Sequence, residues 1–174
     1  ANLQDSDLRD ADFWDADIQK ANLQGANFQG ANFQGTNLSG VNLREVNLRE
    51  VNLEQANLRE ANLENVNLTK ANLREANLTK ANLSGANLTK ANLVRAGLGE
   101  TNLSGVELVE SYLQDADLSG ANLRKANLTK ANLWDADLRY ASLDGANLSG
   151  ANLQDADFEG ANLDGANLRK ANLK

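Results

Sequence analysis

Large apolar residues recur at every fifth position of this chain, each preceded two residues earlier by a small residue and followed by polar ones. Written in fives from Ala1, the sequence divides into 34 complete pentads plus ANLK, with no insertion or deletion. The third position is Leu in 30 of 35 pentads, and the exceptions, Phe13, Ile18, Phe28, Phe33 and Phe158, are also large, so bulk rather than leucine defines it. The first position is Ala in 26 and otherwise Ser, Thr or Val. The second is Asn in 25 and Asp in 6, with Gly97, Glu107, Tyr112 and Ser142 departing from the rule. At about 100° per residue, leucines five apart on an α-helix would advance by about 140° and scatter round the axis. A long strand fails too, because an odd period sends successive leucines to opposite faces. The pattern predicts a chain that runs extended for about three residues and bends in the same sense every five. First and third positions then share an interior. Asn, Asp and Gly suit such bends because they tolerate left-handed backbone and hydrogen-bond their own turns.

The spacing of unusual pentads predicts how many bends close a circuit. DAD triplets start at Asp115, Asp135 and Asp155, and Asp15 of an earlier WDAD lies 100 residues before Asp115. If four bends complete one circuit, residues n and n+20 stack about 4.8 Å apart and the triplets form one ladder. Leu48 then sits under Leu68. The Thr-Lys pairs at Thr69, Thr89 and Thr129 share one phase, whereas Thr79 does not. Duplication of 20-residue blocks would leave the same trace, so the phase supports the circuit of four without proving it. The expected fold is all-β, with four pentads per coil and nearly nine coils, a tower about 42 Å high at about 4.8 Å per coil. A single coil cannot bury enough to fold alone, so stability must accumulate through neighbours. Ala1 lies inside one repeat and Lys174 inside another, which predicts a single repeat domain over residues 1–174 cut from a longer protein. Bare terminal coils present unpaired strand groups and predict end-to-end self-association.

Composition narrows the function. The chain has no Cys, His, Met or Pro, and its 41% hydrophobic content is mostly Leu and Ala. Disulfides and Cys or His metal sites are excluded, as is His or Cys chemistry in acid-base or nucleophilic roles. No glycine loop for phosphate is present, and no insertion interrupts the pentads to build a pocket. We expect no enzyme activity and no cofactor. A net charge of −7 disfavours nucleic acid as a partner. No apolar run approaches the ~18 residues of a membrane span, so this segment is expected to be soluble and not to insert in a bilayer. The compartment is left open.

One surface strip is a candidate site. Val94, Tyr112 and Trp134 fall in pentads 19, 23 and 27, which are successive circuits of one face, and Asp115, Asp135 and Asp155 lie beside them. An aromatic strip rimmed with acids is a candidate protein-binding surface; sporadic drift at tolerant surface positions would also produce it. Trp14 shares the face at a distance. The six DAD acids, with Asp117, Asp137 and Asp157, would repel their neighbours one coil away by about 0.9 kcal/mol in water and about 3.5 at an effective dielectric of 20. Solvation, a basic patch on a partner, or a calcium ion bridging two rungs could each answer that repulsion. Lys70, Lys90 and Lys130, with Arg169 and Lys170, give a neighbouring face a positive bias.

Tandem Ala-(Asn/Asp)-Leu-x-x resembles the pentapeptide-repeat family over the whole chain, from Ala1 to Lys174. The resemblance implies a right-handed, four-sided β-helix with the Leu/Phe column and the small first-position residues inside. The nearly pure ANLxx form is similar to cyanobacterial members, among them the repeat domain of a membrane-anchored protein connected with heterocyst glycolipids. Two functions stay in play. One is a rigid protein-binding or spacer module with an unidentified protein partner. The other comes from the resemblance, since some members imitate B-DNA and inhibit DNA gyrase. Duplex DNA carries a charge every ~1.7 Å, hence about 25 over this height, against a net of seven here. The 174 residues also contain neither the non-repeat C-terminal segment nor the protruding loops of those mimics.

Overall fold

A computed structural model describes residues 2–19 and 21–174. Among these there is no helix and no continuous strand; each pentad makes one isolated bridge, at its second position, and then turns. Every bridge is parallel and joins residues 20 apart, from Asn2↔Asn22 through Asn47↔Asn67 to Asn152↔Asn172. Four pentads therefore complete a circuit. We number the four faces from the pentads 21–25, 26–30, 31–35 and 36–40, with every pentad 20 residues on belonging to the same face. The extended stretch is shorter than the three residues predicted, because the turn takes up positions three to six.

That turn is closed by the first-position N–H of the next pentad, which donates to the third-position carbonyl, as Ala56 does to Leu53 at 3.1 Å. Every described fifth-position residue has a left-handed φ, between 52° and 64° where it is not glycine. Positive φ at the second central residue is what a type II turn requires. Here the sequence expectation needs correction. Glu, Gln, Lys, Arg and Tyr140 occupy this position as well as Gly, Asn and Asp. For an L-residue the left-handed region costs about 1–2 kcal/mol. The ladder imposes it all the same, since only this conformation lets the fifth N–H reach the fourth-position carbonyl of the next coil, as Gln55 reaches Arg74 at 2.9 Å.

The pentad 51–55 shows where all five backbone donors go. Val51 donates within the chain to Leu48, Asn52 donates down to Ala31, and Leu53 and Gln55 donate up to Asn72 and Arg74. The remaining N–H, on Glu54, has no carbonyl within reach and is taken by Asn52 Oδ1 at 3.2 Å. This explains the second position. An Asn or Asp oxygen two residues back supplies the acceptor that the ladder lacks, in the manner of an Asx turn. Asn does more than Asp, because its Nδ2 also donates to the Asn one coil below: Asn52 to Asn32 at 2.9 Å, Asn72 to Asn52 at 3.0 Å and Asn92 to Asn72 at 3.2 Å.

Inside, every first- and third-position apolar side chain from Leu23 to Leu153 is 3% exposed or less. Room for the first position is small, which limits it to Ala, Val, Ser and Thr. The buried hydroxyls are all paired: Thr36 Oγ1 donates to Phe13 O, Thr101 Oγ1 to Leu78 O and Ser111 Oγ to Leu108 O. Near the N-terminal end, Phe13 and Phe33 stack at 4.8 Å, and Phe28 meets both edge-on at 5.6 and 5.0 Å. Towards both ends the interior residues are only partly buried, and Leu173 is exposed.

Candidate functional site

The third face carries the strip. Tyr112 stands in the second-position ladder between Asn92 and Asn132. Val94, Gln114 and Trp134 share the fourth-position column, 20 residues apart. Tyr112 and Trp134 are 51% and 41% exposed, which is unusual for large side chains on this tower, while Val94 is half-buried. At the adjoining corner the acids do not behave alike. Asp155 Oδ2 accepts the Trp134 indole N–H at 3.1 Å, fixing the ring towards the corner. Asp115 lies 3.6 Å from Arg95 Nε. Asp135 makes no ion pair and no side-chain hydrogen bond among the described residues. The structure thus places all six candidate residues on one face and its edge, and joins Trp134 directly to Asp155.

The companion acids lie in the second-position ladder of the fourth face, Asp117↔Asp137↔Asp157. Two of the three have a counter-charge within the chain. Arg139 forks onto Asp137, with Nε at 2.9 Å and Nη2 at 2.6 Å, and its Nε is 3.8 Å from Asp157. Hydrogen bonding to Arg139 holds the Asp137 carboxyl below its ordinary 3.8, and the guanidinium is raised in turn. Arg9 does the same to Asp7, where Asp again precedes Arg by two residues in the second and fourth positions. No three acidic side chains converge among the described residues in the way a metal site needs.

Tyr112 breaks the rule that builds the fold. The Tyr112 hydroxyl does not take the place of the Asn oxygen, and among the described residues nothing accepts the N–H of Gln114. It also leaves Asn132 Nδ2 without the amide below that its counterparts use. Gln114 Oε1 is the one buried side-chain polar atom without a hydrogen bond among the described residues. The wider context is a sequence signal that the pentad statistics pass over. Three of the four second-position departures, Gly97, Glu107 and Tyr112, fall in the single circuit 96–115. Only Asn102 keeps the rule there. Two other exposed aromatics stand apart: Trp14 at the far end of the third face, and Tyr140 at the distal corner of the fourth, both about two-thirds exposed. Tyr140 escaped the sequence reading because the fifth position is variable; its ring lies against Gly160, where a Cβ would come within 2.6 Å of it.

Comparison with known proteins agrees with this architecture. The family model for pentapeptide repeats matches in 8 copies, over residues 1–35, 26–65, 36–74, 67–105, 107–143 and 141–174. The solved structure of HetL, a pentapeptide repeat protein involved in heterocyst differentiation regulation from the cyanobacterium Nostoc sp. strain PCC 7120, is 39% identical. That match covers 99% of this chain and 87% of HetL, with a TM-score of 0.54. A trypsin-treated form of QnrB1, a plasmid-mediated fluoroquinolone resistance protein, superposes with a TM-score of 0.77 at 17% identity, covering 99% of this chain and 91% of that one. At that identity the likeness speaks for the fold alone. No curated protein sequence matches the chain. With the model matched along almost its whole length, and with a ladder period of 20 residues, this chain belongs to the pentapeptide repeat family.

Proposed function

We propose that the chain is a non-catalytic, rigid solenoid that binds a protein partner, or spaces partners, through the strip Val94, Tyr112 and Trp134 with its rim of Asp115, Asp135 and Asp155. The observation that carries this is Tyr112. At a position where the fold uses Asn to satisfy two backbone and amide contacts, it holds a half-exposed aromatic that satisfies neither. Local rules are broken in this way where a surface serves something other than stability. Tyr and Trp are also the residue types that dominate interface energetics. The acidic rim favours a partner face rich in Lys and Arg, and among the described residues Asp135 has no ion-pair partner to compete with it. The regulatory role of HetL is compatible with action through protein contacts. We read the solenoid as right-handed with nearly nine coils, because connections between parallel strands are right-handed in about 98% of cases.

The test starts from wild-type protein used as bait and continues with the purified partner. Tyr112→Ala with Trp134→Ala should weaken binding by at least about tenfold while leaving the fold intact. Unchanged affinity of the double variant removes the strip from any role. A second reading, imitation of DNA towards gyrase, comes from the resemblance to the family, some of whose members act in that way. It is disfavoured by a net charge of −7, where a duplex of this height carries about 25 charges. Inhibition of gyrase supercoiling at micromolar protein would restore it.

A further inference from the structure

The second face holds a feature unrelated to the strip. Lys130, Ser149, Gly150, Arg169 and Lys170 line an open notch of about 350 Å³. That is the lower end of the size range of small-molecule sites. Its origin is legible in the register. Lys130, Gly150 and Lys170 stack in one corner column, with Thr129, Ser149 and Arg169 in the column beside it. The pentad 146–150 ends in Ser-Gly between pentads ending in Thr-Lys and Arg-Lys, so two short side chains leave a gap between two long pairs. Lys130 leans over that gap: a Cβ on Gly150 would lie 3.5 Å from Lys130 Cγ.

The charge is as distinctive as the shape. The stretches 126–133, 146–153 and 166–173, which form the notch and the adjoining start of the third face, contain three cations and no Asp or Glu, in a chain of net charge −7. Lys130 is 3.8 Å from Glu110, which also pairs with Lys90. Arg169 and Lys170 form no ion pair among the described residues. The side chains of Thr129 and Asn167 are already engaged. Thr129 Oγ1 donates to Asn127 and accepts from Asn147, and Asn167 Nδ2 donates to Asn147 while its Oδ1 accepts the Arg169 N–H. The N–H groups of Lys130, Ser149 and Gly150 are likewise bonded to Ser149 O, Asn147 Oδ1 and Arg169 O. The side chains that remain to face a ligand are the Arg169 guanidinium, the Lys170 ammonium, the Lys130 ammonium shared with Glu110, and the Ser149 hydroxyl, each able to donate.

We propose that this notch binds a phosphoryl group bearing two or more negative charges, either free as a diphosphate or phosphate monoester or carried on a lipid headgroup. Three cations ask for more than the single charge of a carboxylate. The Arg fork matches paired phosphoryl oxygens, and the lysines add point charges beside it. With no acid in these three stretches, and with Glu110 shared between Lys90 and Lys130, the local field acts against the negative charge of the rest of the chain.

The experiment uses two probes, inorganic pyrophosphate by calorimetry and phosphatidylcholine vesicles with and without phosphatidate by flotation. Saturable, salt-sensitive binding is expected for pyrophosphate, for phosphatidate vesicles, or for both; the responding probe identifies the source of the phosphoryl group. The double variant Arg169→Ser with Lys170→Gly turns its pentad into the ANLSG that the fold already carries at 146–150, so it should fold normally and bind at least about tenfold more weakly. Gly150→Lys adds a cation but fills the notch, at a backbone geometry that Lys130 and Lys170 already adopt. It should also weaken binding. No saturable binding of either probe, equal affinity in the double variant, or tighter binding by Gly150→Lys would each overturn the proposal.

Discussion

At the level of single residues the second-position Asn is the hinge between sequence and fold. Asn72 accepts the Arg74 N–H at 3.3 Å, donates to Asn52 at 3.0 Å and accepts from Asn92 at 3.2 Å. Asn72→Ala strands a backbone donor and two amides and should cost about 1–3 kcal/mol in urea unfolding. Asn72→Asp keeps the two acceptor roles and loses the donations to Asn52 and Glu54, so in high salt, which screens the new charge from Glu54, it should fall between wild type and the Ala variant. An Ala variant as stable as the Asp variant would show that the Asx contact contributes nothing. Gln114 gives the opposite sign. Its Oε1 is buried without a partner, and replacing such a group by an apolar one of similar size removes a desolvation penalty. Gln114→Leu should raise the unfolding free energy by about 1 kcal/mol; a loss of stability would mean that the amide is satisfied after all. The need for bulk at position three and smallness at position one could be read directly from the chain, because both are side-chain properties. That Asn and Asp bond their own turn could be read as well, but not which donor they satisfy, since the fourth-position N–H becomes isolated only once the turn exists.

At the level of the element, the acidic ladder on the fourth face makes a prediction about pH. Asp137 has its pKa lowered by the Arg139 hydrogen bond. A carboxylate whose folded pKa is depressed adds stability that is fully present above its unfolded value, near 3.8, and is lost as pH falls through the lower folded value. Arg139→Gln should therefore destabilise at neutral pH, where Asp137 and Asp157 face each other without a counter-charge. The gap between variant and wild type should narrow between neutral pH and an acidic pH below the lowered folded value, as both lose charge. Urea midpoints at the two pH values check this, and a gap that does not depend on pH would assign the effect of Arg139 to packing. The 20-residue return of DAD was enough to place these acids in one column. The neutralising role of Arg139 is not legible in the sequence, because the salt bridge depends on how positions two and four are turned towards each other once the bend forms. In this pentad, the turn after position three brings positions two and four together.

At the level of the whole molecule, the chain is a one-dimensional stack in which any 20 residues occupy one rung of all four faces. Removing residues 96–115 would place Asn87 under Asn127 and Asn92 under Asn132, rebuilding amide rungs at the two faces now interrupted by Glu107 and Tyr112. Asn82 would meet Asn122, and Asn77 would meet Asp117. The interior would remain continuous, because Leu93 would lie under Leu133. Although one coil of buried surface is lost, the coil removed is the one with unpaired Gln114 groups and with Asn at only one of its four second positions. The shortened chain should therefore unfold cooperatively, with a thermal midpoint close to that of the full chain, and it should lose partner binding along with Tyr112. Deleting 96–113 removes two fewer residues but breaks the pentad phase, which drives polar fourth and fifth positions into the shaft of every later coil and should abolish the transition. Circular dichroism and thermal denaturation of the two deletions separate these outcomes. If both deletions melt alike, stability does not depend on register, and the stacking of residues 20 apart cannot be what holds the molecule together.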